Sequence, residues 1–223
     1  MFEKRIDYPC AISDFTEEGE QAALDWTLRQ LEAGQKITLW VKQKNVISSN
    51  AFLIRLSQDP RFIVSVARGG SLHAEGPVLA IYPRSTDLGL IVSGHGVTAL
   101  CVVTWEDSLD TWAAETKSEV LHSVVFEPDY DEEDEPELNS EITERLERIS
   151  GRLNLNNSIL GGYNKKYVVA ALLELHDAGF ILPPGRLAEW AAAHGWGGEN
   201  PKRLKELANK INGGVRPRPQ RGW

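Results

Sequence analysis

Four short segments of this chain are apolar almost without a break: Ile37–Val41 (ITLWV), Phe62–Val66 (FIVSV), 78–82 (VLAIY) and 99–104 (ALCVVT). Each is rich in β-branched or aromatic residues, and none alternates cleanly between polar and apolar. A strand with one wet face would alternate, so these strands must be covered on both faces, which is the condition of a parallel sheet. The segments between them carry helical spacing. Residues 17–33 place Ala22, Ala23, Trp26, Leu28 and Leu31 between polar positions and end at Gly34. Residues 46–58 carry Ile47, Phe52, Leu53 and Leu56 and end at Asp59-Pro60; residues 86–93 and 107–116 predict two shorter helices. Residues 120–125 predict a fifth strand. The connection from Val66 to Val78 has no helical pattern. It must be an extended Gly-containing loop, or the local pairing is antiparallel.

Helix-period segments fill the C-terminal part. Ile142, Leu146, Ile149 and Leu153 share one face. Val168, Val169, Leu172, Leu173 and Leu175 form a wide one that stops at Gly179. A third helix runs from Arg186 to His194. A fourth carries Leu204, Leu207, Ala208 and Ile211; Asn200 suits its cap and Pro201 its first position, and Gly213-Gly214 ends it.

Between the two parts, residues 127–137 carry eight acidic residues and no basic one. They account for the whole formal charge of −8. Such a block resists packing and reads as an exposed spacer. The last 23 residues carry seven Lys or Arg and one Glu. The expected class is therefore α/β: a Rossmann-like three-layer parallel sheet of four to five strands, then an acidic linker and a small all-helical C-terminal unit. The expected boundaries are 1–126 for the α/β domain, 127–138 for the linker, 139–214 for the helical unit and 215–223 for a basic flexible tail.

No stretch approaches the roughly 20 apolar residues of a membrane helix, and the start has no secretory pattern, so a cytoplasmic protein is expected. Cys10 and Cys101 make no zinc pattern and read as structural. A P-loop, a nucleophile elbow and HExxH are all missing. The run Gly94–Ala99 matches GxGxxA, but it closes a helix and opens a strand, the reverse of a dinucleotide fingerprint. His73, His95, His122, His176 and His194 are scattered, and His176 and His194 suit helix C-terminal ends.

In a parallel sheet, ligands gather beyond the carboxyl ends of the strands. Lys42 and Lys44 follow the first of these strands. Arg68, Gly69 and Gly70 follow the second; Arg84 and Ser85 follow the third, before Thr86 and Asp87. These residues suggest a site for a small anionic ligand of nucleotide type, with the glycines allowing close backbone approach. The competing explanation is that strand ends are polar by default and that Ser85, Thr86 and Asp87 are N-cap types. Glu106 and Asp107 are weaker candidates for catalysis. In the tail, Arg216, Arg218 and Arg221, with Lys202 and Arg203 before them, suggest phosphate contacts with nucleic acid, and Trp223 could stack on a base.

Residues 76–83 (GPVLAIYP), 99–105 (ALCVVTW), 176–180 (HDAGF), 190–196 (WAAAHGW) and 216–219 (RPRP) resemble an uncharacterised bacterial protein family. The resemblance covers most of the chain and implies a two-part intracellular protein. It implies no activity, cofactor or binding residue. From the residues themselves three functions compete. The leading one is a non-catalytic binding or adaptor protein, with the anion site at the strand edge and the basic arm on nucleic acid. The others are a hydrolase or transferase acting on a nucleotide or phosphorylated substrate, and a protein-interaction module.

Overall fold

The computed structural model describes residues 6–67, 72–105, 107–123, 135–155 and 157–218. Among these residues six strands form one sheet in the order β3-β2-β4-β5-β1-β6, where β1 is Cys10–Ser13, β2 Ile37–Val41, β3 Phe62–Val66, β4 His73–Ile81, β5 His95–Val103 and β6 Glu119–His122. Every pairing is parallel. The Rossmann-like α/β class expected from the apolar segments is the class observed, with one strand more than expected.

Alternate residues of each central strand go to opposite faces. Leu39, Val41, Leu79, Ile81, Cys101 and Val103 join Ala23 and Trp26 of α1 (Glu17–Arg29) and Phe52, Leu53 and Leu56 of α3 (Ala51–Gln58). Trp40, Val78, Ala80, Leu100 and Val102 join Leu88 and Ile91 of α4 (Leu88–Val92) and Trp112 of α5 (Asp110–Thr116). Cys10 and Cys101 sit on opposite faces, and both are free. Burial pushes each thiol up to about 12, which keeps it neutral and unreactive.

The helix expected over 46–58 is two helices. Asn50 breaks the run by taking extended backbone, and its Oδ1 accepts from Phe52 N at 2.8 Å and Leu53 N at 3.3 Å. That leaves a one-turn α2 (Asn45–Ser48) before α3. β3 and β4 each pair in parallel with β2, so the local pairing is not antiparallel; residues 68–71 of the link between them lie outside the described residues. Ala67 and Leu72 at its two ends pack into the face that holds Trp40.

Four helices follow: α6 (Ser140–Ser150), α7 (Gly162–Asp177), α8 (Pro184–Ala193) and α9 (Asn200–Asn212). Their own core contains Leu146, Leu172, Trp190, Trp196 and Leu204. Asn200 is not the cap of α9. It is buried in the first turn, where its Oδ1 accepts from Ile159 N and its Nδ2 donates to Leu155 and Asn157 carbonyls. It thereby pins Leu155, Asn157 and Ile159.

α8 belongs to both parts. Leu187, Trp190 and Ala191 face the helical core, whereas Ala192 and Ala193 complete the sheet-face cluster of Trp40 and Trp112. A helix apolar on nearly all sides is a buried helix. Glu189 is the exception on that surface. It is 6% exposed, and its Oε2 accepts from Trp112 N at 3.2 Å. His194 Nε2 meets Glu115 Oε2 at 2.9 Å, and Arg186 lies 3.6 Å from Asp110. At the other end of α8, Glu135, from the close of the acidic run, accepts from Gly185 N and Arg186 N. The run up to residue 134 lies outside the described residues.

Burial pushes the Glu189 carboxyl up to about 7, against the pull of the Trp112 amide and Arg186. Folded Glu189 therefore keeps its proton to near neutrality, while the unfolded chain releases it near 4.3. Its contribution to stability is complete below the unfolded value and is lost as pH rises through about 7. Glu189→Gln removes that dependence. Between pH 4.5 and 8.5, urea unfolding of the wild type should lose on the order of 3 kcal/mol relative to the variant. Equal pH profiles would show that Glu189 does not titrate in this range.

Candidate functional site

The carboxyl edge of the sheet is shaped by where each strand sends its chain. β1 and β2 lead to α1 and α2–α3, which serve the Trp26 face; β4 and β5 lead to α4 and α5 on the Trp112 face. Two adjacent pairs therefore diverge: β2 from β4, and β5 from β1. Divergent loops at neighbouring strand ends open a crevice, the usual ligand position in an open parallel sheet.

In the β2/β4 crevice, Lys42 pairs with Asp87, which is 2% exposed. Asp87 Oδ2 also accepts from Arg84 N at 3.2 Å. Ser85 is buried; its amide donates to Asp107 Oδ2 at 2.7 Å, and its hydroxyl has no partner among the described residues. Tyr82 turns the chain out of β4 with φ 52°, a left-handed conformation uncommon for an aromatic residue. Its hydroxyl donates to Glu20 Oε1 at 2.6 Å, and Asn50 Nδ2 donates to the same oxygen at 2.8 Å. Burial first, and then Glu20, raise the Tyr82 pKa, so the phenol stays a donor.

At the end of β1, on the side of its outer neighbour β6, Asp14 Oδ2 lies 2.9 Å from His122 Nδ1, and Asp14 Oδ1 accepts from Thr16 N at 3.1 Å. Thr16 is also the N-cap of α1, accepting from Gly19 N at 3.0 Å. A ring cluster joins the crevices. Trp105 meets Tyr82 edge-on at 5.5 Å and Phe15 at 6.3 Å, and it stays 59% exposed.

The structure thus brings Lys42, Arg84 and Ser85 to one crevice, linked through Asp87 and Asp107. Lys44 precedes α2 and is exposed. Arg68, Gly69 and Gly70 lie outside the described residues, as does Glu106. Four carboxylates, those of Asp14, Glu20, Asp87 and Asp107, share the edge with Lys42 and Arg84. The edge is therefore not a plain cationic trap. It offers an exposed indole beside hydrogen-bonding groups of both kinds. Sequence reasoning missed Asp14, Glu20, Asn50, Tyr82, Trp105 and His122. Asp14 follows a strand too short and too poor in β-branched residues to stand out; the others converge only through the fold.

The cations of the arm are placed differently. Arg216 makes a two-pronged pair with Asp177, at 2.6 and 2.7 Å, which holds the Asp177 carboxyl below its usual range. Lys202 lies 3.3 Å from Glu199. Arg203 is half-buried and Arg218 exposed; Arg221 and Trp223 lie outside the described residues. His194 bonds to Glu115 side to side, rather than to the last carbonyls of its helix.

Residues 139–223 match the Domain of unknown function (DUF1889). The matched segment holds α6 to α9 and the tail, and so includes the helix that completes the sheet face. No curated protein and no solved structure matches the chain. Among the described residues no helix is long and apolar enough to cross a membrane.

Tyr82→Phe removes one of the two donors that hold the buried Glu20 carboxylate. Hydrogen bonds to charged groups are worth about 1.5–3 kcal/mol. The variant should lose stability in that range by urea unfolding, and a neutral substitution would show that the Tyr82–Glu20 bond does not hold this edge.

Proposed function

We propose that this chain is a non-catalytic binding protein that takes a nucleotide-type ligand at the carboxyl edge of its sheet. The observation that carries the reading is the exposed Trp105 ring between two crevices that the chain path opens. A planar base can stack on that indole, a contact worth roughly 1–3 kcal/mol per base. Ribose hydroxyls find acceptors in the nearby carboxylates, and Lys42 and Arg84 bring positive charge to the same edge for a phosphate. The carboxylates favour a ligand with a ring and hydroxyls over a bare inorganic anion. A contact between the basic arm and nucleic acid has less support, since Lys202 and Arg216 are each held by a carboxylate.

Thermal shift and tryptophan fluorescence with AMP, ADP, ATP and GTP test the site. At least one nucleotide should bind saturably, with inorganic phosphate at the same concentration much weaker. Trp105→Ala should weaken binding about tenfold or more, matching the loss of one stacking contact. Arg84→Ala together with Lys42→Ala should weaken it further. Saturable binding that survives both changes would place the ligand elsewhere, and no binding of any nucleotide would remove the reading.

A further inference from the structure

At the opposite, amino edge of the sheet, His73 opens β4 and His95 opens β5. The two are register partners in the parallel ladder, so their side chains leave the sheet on the same side. Both are exposed, and their ring centres are 5.6 Å apart with the planes tilted by 32°. Neither ring makes a hydrogen bond to another described residue. Two neighbouring imidazoles with no other polar partner are what a metal ion needs.

The spacing can be tested against coordination geometry. A metal–imidazole bond is about 2.0–2.1 Å, which with about 1.15 Å from nitrogen to ring centre puts each centre about 3.2 Å from the metal. Two such rings lie about 5.2 Å apart at a tetrahedral angle and about 4.5 Å apart at a right angle. The observed separation is within half an ångström of the tetrahedral value. Rotation about the two side-chain torsions aims a nitrogen without moving the backbone.

The backbone here is fixed by glycine. Gly96 has φ 76°, and a Cβ on it would lie 2.2 Å from the Ala74 carbonyl oxygen. Only glycine lets β5 pass so close to β4 at this point, where the ladder register shifts between His73 and Gly76. The kink sets which residues stand side by side at the strand starts. Beside His95 lies a cleft of about 250 Å³, lined also by Asp7, Tyr8, Ser93 and Gly195. It leaves room for water or a further oxygen donor on the ion.

We infer that His73 and His95 form a two-imidazole site for a divalent late transition-metal ion, with zinc the best fit. Among the described residues no three His, Cys, Asp or Glu gather into a metal-holding group, so water fills the remaining positions. Imidazole donors with no thiolate select zinc, copper or nickel over calcium or magnesium. The bound ion ties the starts of the two central strands together, which stabilises the folded state by mass action.

The test is calorimetric titration of the untagged full chain with ZnCl2, with MgCl2 as comparison. The wild type should bind one zinc per chain saturably, and no magnesium. His73→Gln and His95→Gln should each weaken binding at least tenfold, while His176→Gln leaves it unchanged. In nitrogen-15 spectra the ring signals of His73 and His95 should be the ones that move with zinc. Melting curves without metal check that the variants fold. Absence of a saturable site in the wild type overturns the inference, as does undiminished zinc binding in the folded double variant.

Discussion

Everything in this molecule rests on covering both faces of one parallel sheet. The central strands bury every residue from Val78 to Ile81 and from Ala99 to Val103. At about 25 cal/mol per Å² of apolar surface, an open face on such a sheet is a large cost. α1 and α3 cover one side. On the other, α4 has five residues and α5 seven, and the described residues of the β3–β4 link bring no helix. The alanine side of α8 completes that cover from far along the chain. The segment matching the domain of unknown function is thus joined to the α/β part through its hydrophobic core, with Glu189 as the buried polar group at the join.

Much of the architecture is legible in the residues because burial is a strong signal. β2 and β3 have the expected bounds, since five-residue runs of β-branched and aromatic types between turn residues have few other fates. β1 escaped because Cys-Ala-Ile-Ser is short and low in strand preference, and only its seat between β5 and β6 makes it a strand. The run 190–193 is helical by pattern, but which core each side meets is a tertiary fact. Asn200 illustrates the same limit: Asn before Pro suits a cap, yet three loop contacts outweigh that preference.

The sequence pointed to this edge as a candidate, but not to which groups meet there. That ligands belong at the carboxyl edge follows from a parallel sheet. That Lys42 would spend its charge on a buried Asp87 could not be read from residues 45 positions apart. Nor could the meeting of Asp14 with His122, 108 positions on, or of Glu20 with Tyr82. Each of these pairs joins a loop at one strand end to a distant segment of the chain. Together they set carboxylates beside Lys42 and Arg84 at this edge. The histidine pair at the amino edge is a consequence of register, which a sequence pattern does not carry.

The sheet cannot close its second face without α8. The most direct test is urea unfolding of a chain ending at residue 138, followed by circular dichroism and by binding of an apolar dye. The shortened chain should give a broad, uncooperative transition with strong dye binding, against a single sharp transition and little dye for the full chain. A sharp transition in the shortened chain, at the full-length midpoint and without dye binding, would contradict it.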